Sequence, residues 1–365
     1  MKEIKIADTI TLLRKEKNVS QETLATFLGV SKAAVSKWET AQSYPDIELL
    51  PRLATYFNIS VDELLQYSPQ LSKYEIKNLY DELANAFASQ PYEEVIKRCR
   101  LIVKEYYSCY PLLLQIGALY LNYSNLAPTN QVEAILHEAI ELFIRIKKES
   151  NEVELSTIAQ NLEATALLMT QKPKDIIALL GEETPLLIST ETILASALQM
   201  LHENDKAEYN LQISIYQYVL HLSDLMSTYL SVTYTQKDMF IETYHRLLGL
   251  IELFQLKKLH PTKLLNIYLS AAIGFMNFND KENALEAIQA YVDVATDTIY
   301  PLELHGDAYF TRLDEWFSKT SMPIPRDQES IRKNIIEVFD EHPAFVALAD
   351  NKQFQSLMKK LKKNG

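Results

Sequence analysis

Ser20-Gln21-Glu22-Thr23-Leu24-Ala25-Thr26-Phe27-Leu28-Gly29-Val30-Ser31-Lys32-Ala33-Ala34-Val35-Ser36-Lys37-Trp38-Glu39 holds two short amphipathic segments with a single glycine between them. A serine stands in front of each. Its hydroxyl can accept from a backbone N–H that a helix start leaves unpaired, so Ser20 and Ser31 are read as N-caps. Behind them Leu24, Ala25 and Leu28, then Val35 and Trp38, recur at helical spacing and face inward. Gly29 falls where a tight turn between two helices needs a positive φ, and Val30 packs that turn. The outward face of the second helix is left with Lys32, Ala33, Ser36 and Lys37, all small or polar.

Working outward, Ile6, Ile10 and Leu13 form a preceding helix that Lys17-Asn18-Val19 ends. Gln42 to Asp46 reads as a loop, with Asp46 capping a helix over Ile47 to Phe57, and Ser60 opens a last short helix from Val61. Residues 4–66 are thus expected to form five helices. This motif, continued by Tyr44-Pro45-Asp46-Ile47-Glu48-Leu49-Leu50-Pro51 and Ile59-Ser60-Val61-Asp62-Glu63-Leu64-Leu65, resembles the helix-turn-helix domain of XRE (Cro/repressor-like) transcription regulators. The resemblance implies a lambda-repressor-like DNA-binding domain over residues 1–68 and a double-stranded DNA operator as partner. A helix that enters the major groove needs small and polar residues on its leading face, which Ser31, Lys32, Ala33, Ser36 and Lys37 supply. By the same resemblance Lys32 and Ala33 align with base-reading positions, the one toward guanine O6 or N7, the other toward a thymine methyl. Gln21 is placed to hold a phosphate or to brace the reading helix. Trp38 and Leu28 are read as core, Glu39 as a partner for Arg14 or a local cap, and Arg52 and Lys17 as phosphate contacts or solvated charges. Ala41 departs from the glycine that many family members carry after the reading helix.

The rest of the composition narrows the function. Of 365 residues only 7 are glycine, at 29, 117, 181, 249, 274, 306 and 365, which leaves no phosphate-cradling GxGxxG or GxxxxGK[ST] and no GxSxG elbow. No HExxH occurs among the histidines, and neighbouring carboxylates such as Glu93-Glu94 point to different helix faces. No enzyme activity, cofactor or metal is expected. Net charge is −12, but residues 1–68 carry 8 Lys and Arg against 9 Asp and Glu, so an anionic polymer would be met by that domain. Cys99 and Cys109 fit no disulfide framework, and no long apolar run suggests a membrane span, so a cytoplasmic protein is expected.

Residues 69–365 read as amphipathic helices punctuated by Pro91, Pro111, Pro128, Pro173, Pro185, Pro261 and Pro301, and the whole chain as all-α. Helix pairs of roughly 34–40 residues suggest a tetratricopeptide-like α-solenoid. The clearest unit runs from Lys263 to Ala295, with Tyr268, Ala271, Ala272 and Phe275 facing Ala284 and Ile288 across Asn279-Asp280, though Tyr291 stands where a small residue is expected. This array is expected to make a homodimer and to offer a surface for a peptide or small-molecule ligand. Of the 21 tyrosines, Tyr120 and Tyr216 are candidate groove residues, as are the mid-helix Asn161 and Asn266, the latter because helix-borne asparagines hold an extended peptide in peptide-sensing regulators of similar architecture. A protein–protein adaptor whose first domain only docks is the alternative. Phe345, Leu348, Phe354, Leu357 and Leu361 are spaced to cap the last open face, and the Lys359–Lys363 cations to offset a helix macrodipole.

Overall fold

In a computed structural model the protein is described over residues 5–67, 70–184, 186, 189–297, 304–319, 335, 338–339 and 342–364. Every regular element among the described residues is a helix. The first domain comprises α1 (Ile6–Glu16), α2 (Gln21–Leu28), α3 (Lys32–Glu39), α4 (Leu50–Phe57), entered through a 3-10 turn over Ile47–Leu49, and α5 (Val61–Leu65). Helices this short do not persist alone in water. Their apolar stripes close on one core of Ile6, Ile10, Leu24, Leu28, Val35, Trp38, Leu53, Phe57 and Leu64. The ends are fixed by the expected caps: Ser20 Oγ accepts from Thr23 N, Ser31 Oγ from Ala34 N and Asp46 from Glu48 N. Ser60 and Glu63 form a reciprocal capping box, and the Ser60 backbone N–H holds the Glu63 carboxyl below its ordinary pKa.

Contacts divide the chain into two compact units, residues 1–182 and 183–365. In the first unit α6 (Lys73–Ser89), α7 (Tyr92–Glu105), α8 (Tyr110–Tyr123), α9 (Val132–Glu149), α10 (Val153–Met169) and α11 (Pro173–Leu180) follow the first domain. α8, α9 and α10 pack around Leu113, Leu119, Tyr120, Phe143 and Ala159. Gly117 is required there by close approach, because a Cβ would stand 2.5 Å from Phe143 Cε1. Both cysteines are buried and free, and burial pushes the Cys99 thiol up to about 12.

The second unit holds α12 (Glu191–Met200), α13 (Asn204–Val232), α14 (Lys237–Leu253), α15 (Leu256–Leu259), α16 (Pro261–Asn277), α17 (Lys281–Asp297), α18 (Leu313–Lys319), a 3-10 turn over Pro343–Leu348 and α19 (Lys352–Asn364). The hairpin α16–α17 is the expected unit: Ala271, Ala272, Ala284 and Ile288 are buried at the crossing, and Asn279 takes the left-handed turn position at φ 56°. Tyr291 is accommodated because its hydroxyl donates to the Ile335 carbonyl at 3.2 Å and its ring meets Phe339 edge-on. α19 buries Phe354, Leu357 and Leu361 against that core, and Lys360 pairs with Asp293 and Asp297 at 2.8 and 3.1 Å. The array is tetratricopeptide-like in its antiparallel hairpins but not in period, since its described α-helices run from the 4 residues of α15 to the 29 of α13. Pro91, Pro111, Pro173 and Pro261 stand at helix starts, Pro128 lies in the loop before α9, and Pro185 and Pro301 fall outside the described residues.

Candidate DNA-binding surface and the array residues

Gly29 has φ 74° and open space where a Cβ would stand, so the turn needs its backbone freedom and not its size. Its neighbour Val30 donates to the Ala25 carbonyl, closing α2 and setting the direction in which α3 leaves. Ser31, Lys32, Ala33 and Lys37 are exposed on α3 and Ser36 is half-buried, while Val35 and Trp38 are buried beneath them. The residues expected to read DNA therefore share one outward face.

That face is held by a part-buried polar brace. Arg14 on α1 donates to Glu39 on α3 through Nε at 2.5 Å and Nη2 at 3.0 Å, and Gln21 at the head of α2 donates to the same carboxylate at 2.8 Å. Arg14 Nη1 also donates to the Val19 carbonyl at 2.8 Å. One carboxylate thus ties the first three helices together, with side-chain exposures of 14% for Arg14 and 6% for Glu39. Burial alone would raise the Glu39 pKa, but the bonds from Arg14 and Gln21 and the guanidinium charge outweigh it and hold the carboxyl below its ordinary value. Gln21 makes the bracing contact, one of the two roles read for it.

The contacts of three cations were not legible in the sequence. Lys32 Nζ lies 3.8 Å from Glu22 Oε2, both well exposed, so the leading cation of the reading face already has a counter-charge. Lys17 donates to the Tyr56 carbonyl and lies over its ring, and Arg52 donates to the Phe27 carbonyl at 3.1 Å. Both cations, read as phosphate contacts or free charges, secure α4 to its neighbours. Ala41 takes φ 55°, the left-handed conformation that costs a residue with a Cβ, and ends α3 with Gln42 N donating back to the Lys37 carbonyl.

In the array, Tyr120 and Tyr216 do not line a groove. Each is 2% exposed and packed in a core, Tyr216 among Phe310, Trp316 and Phe317. Burial pushes both phenols above their ordinary pKa. An aromatic with a polar tip is read equally well from sequence as groove or as core, and here the neighbouring helices close over it. Asn161 on α10 and Asn266 on α16 are exposed, in different units. A cavity of about 500 Å³ instead opens between α12, α13 and α18, lined by Leu194, Tyr209, Asn210, Arg312 and Lys319. Arg312 pairs there with Glu208 at 3.1 Å, while its buried Nε has no partner among the described residues.

Five short helices with a glycine-turned second and third, the third presenting a polar face, define a DNA-reading module. Residues 10–64 match the helix-turn-helix family model, and this domain is a helix-turn-helix domain of the XRE type. Over 66 residues it is 41% identical to the HTH-type transcriptional activator BcrR of Enterococcus faecalis, a match covering 18% of this chain and 32% of BcrR. Over 58 residues it is 40% identical to the HTH-type transcriptional regulator AnsR of Bacillus subtilis, covering 16% and 50%. The chain thus spans half or less of the length of these relatives. Among solved structures it is similar to Bacillus thuringiensis PlcR in complex with the peptide PapR7 and DNA, at 14% identity and TM-score 0.31 over 80% of this chain and 94% of that one. It is also similar to the apo competence regulator ComR of Streptococcus vestibularis, at 14% and 0.26 over 87% and 98%. Among the described residues no helix is long and apolar enough to cross a membrane.

Proposed function

We propose that this chain is a sequence-specific DNA-binding transcription regulator. It acts as a homodimer through its helical array, and a short peptide or other small ligand on the array controls it. The observation that carries the reading is the outward face of Ser31, Lys32, Ala33, Ser36 and Lys37, held by the part-buried Arg14–Glu39–Gln21 brace. The transcription-regulator names of the two relatives of the first domain point the same way. For the ligand, the cavity beside Arg312 replaces the buried Tyr120 and Tyr216 as the place to look. Its lining sets Lys206, Arg312 and Lys319 beside Asp205 and Glu315, with Lys319 already paired to Glu315, so it suits a small group that carries both charges, such as a short peptide.

The test is fluorescence anisotropy of full-length protein with genomic fragments at about 50 and 200 mM salt, where phosphate contacts make binding fall steeply. Lys32→Ala with Ser36→Ala is expected to abolish selectivity for the preferred fragment while leaving stability within about 0.5 kcal/mol, since neither side chain is in the core. Full selectivity in the double variant would sink the assignment of α3 as the reading helix. Absence of any sequence-selective binding by the parent chain would favour the adaptor reading, to which the net charge of −1 over residues 1–68 lends support.

A further inference from the structure

α13 is the longest helix described, and its 23 residues from Asn210 to Val232 carry one formal charge, Asp224, which pairs with Lys263 on α16 at 2.6 Å. In a chain that is 23% charged, a helix face meant for water would hold more. One face of α13 enters the unit's core through Ile213, Tyr216, Val219 and Leu230. A second apolar face runs along the other side: Tyr218, Leu222, Leu225, Tyr229 and Val232 are 38%, 44%, 56%, 44% and 67% exposed. Their spacing is four, three, four, three, the a/d alternation of a coiled-coil seam. One step further back Ile215 packs against the unit's own cores, and the Tyr218 hydroxyl bonds Glu191 at the head of α12, so the open seam begins at Tyr218. Ser214, His221 and Thr228, which flank the seam away from the core, bear no permanent charge that would repel a partner.

We propose that this seam is the surface on which a second copy of the chain docks, α13 against α13 and antiparallel, an inference that rests on the dimeric reading given above. The seam is self-complementary about a two-fold axis between Leu222 and Leu225. Antiparallel a-to-d layers then place Leu222 on the partner's Leu225 and Tyr218 on the partner's Tyr229, like against like in size at both layers. Length favours the same occupant. The exposed stripe is about 21 Å long at 1.5 Å per residue, and a second α13 presents a matching seam of that length by construction. The five side chains offer roughly 450 Å² per copy, a little over half of a standard interface, so the contact is weak alone and is completed when two linked DNA domains occupy adjacent half-sites.

Sedimentation velocity of the full chain and of full-length variants, with and without its preferred DNA fragment, tests this. Leu225→Glu and Leu222→Lys are each expected to shift the protein to monomer, with at least a tenfold loss of self-affinity and unchanged helical circular dichroism. Mixed in equal amounts, the two should recover a heterodimer that high salt dissociates, because the antiparallel register sets residue 222 of one against residue 225 of the other. Recovery cannot arise from misfolding. A chain that is dimeric but indifferent to both substitutions would overturn the seam and leave the dimeric reading intact. A monomer with and without DNA would remove both. A variant monomer with an enlarged Stokes radius and no recovery on mixing would show that the chain's own helices cover the face, which also overturns the proposal.

Discussion

Replacing Arg14 with Met strikes the brace that fixes the reading helix. Glu39 would keep only the single donor of Gln21 at 2.8 Å, on a side chain 6% exposed. Breaking a fully buried ion pair by removing one partner costs about 3–5 kcal/mol; this pair is part-buried and keeps the Gln21 bond, so roughly 2–3 kcal/mol is expected. Small domains are stable by only about 5 kcal/mol or a little more, so Arg14→Met should consume about half of the first domain's stability. Replacing both partners, Arg14→Met with Glu39→Leu, leaves no orphaned charge and is expected to cost less than Arg14→Met alone. Urea unfolding of the full chain followed by Trp38 fluorescence, in a Trp316→Phe background, reads the first domain selectively because Trp38 lies in its core. The same carboxylate sets an acid dependence. Its pKa is depressed in the fold, so the stability it adds is present above the ordinary carboxylate pKa and is lost as pH falls through the lowered native value. A cost under 0.5 kcal/mol for Arg14→Met, or a double variant as unstable as the summed singles, would refute the brace.

Other outcomes follow from single positions. Ala41→Gly should stabilise the first domain by about 0.5–1 kcal/mol in the same urea assay, because Ala41 sits at φ 55°; a loss of stability would show that the Cβ is compensated elsewhere. His260 is pushed down to about 4 by burial, with Lys263 adding to the shift, so it stays neutral in the fold where the unfolded chain takes up a proton. Stability of the second unit should therefore fall by up to about 3 kcal/mol between pH 6.5 and 4, and His260→Gln should flatten that part of the profile in thermal scans. Gly274→Ala would set a Cβ 2.2 Å from Phe240 Cε2, and a drop in the second unit's midpoint worth about 1–3 kcal/mol is expected in calorimetry. Tyr291→Phe should cost about 1 kcal/mol by loss of its bond to the Ile335 carbonyl; no change in the calorimetric midpoint would mean that the bond adds nothing.

The first domain was legible because its signals are local. A serine cap, a glycine turn and a stripe of apolar residues each act within a few positions, and all of the expected caps from Ser20 to Ser60 appear where they were read. The pairing of Arg14 with Glu39 was legible as one of two readings, the other being a local cap, and the meeting of α1 with α3 decides it. Lys17, Arg52 and Lys32 were not, because a long cationic side chain reaches whichever acceptor the tertiary arrangement brings near. The array failed in a similar place. Helix starts at Pro111, Pro173 and Pro261 are written locally, whereas whether Tyr120 or Tyr216 lines a groove depends on neighbours far along the chain. The second apolar face of α13 is written in the sequence too, but its period emerges only once the buried face has been subtracted.

The electrostatics of the first domain explain why such a seam would matter. A domain with net charge −1, whose leading lysine already sits 3.8 Å from Glu22, cannot draw strongly on phosphate attraction. Exchanging Glu22 for a base or phosphate is inexpensive, because an exposed pair is worth about 0–1 kcal/mol, but for the same reason the exchange adds little affinity. On the proposed reading a single domain therefore discriminates between sequences without holding any of them for long. Occupancy must come from joining two readers, where the second binds at the effective concentration set by the first, often of millimolar order. A self-association too weak to persist in free solution suits that arrangement. On that reading most copies would search DNA alone, and the pair would be stabilised where two half-sites lie in register.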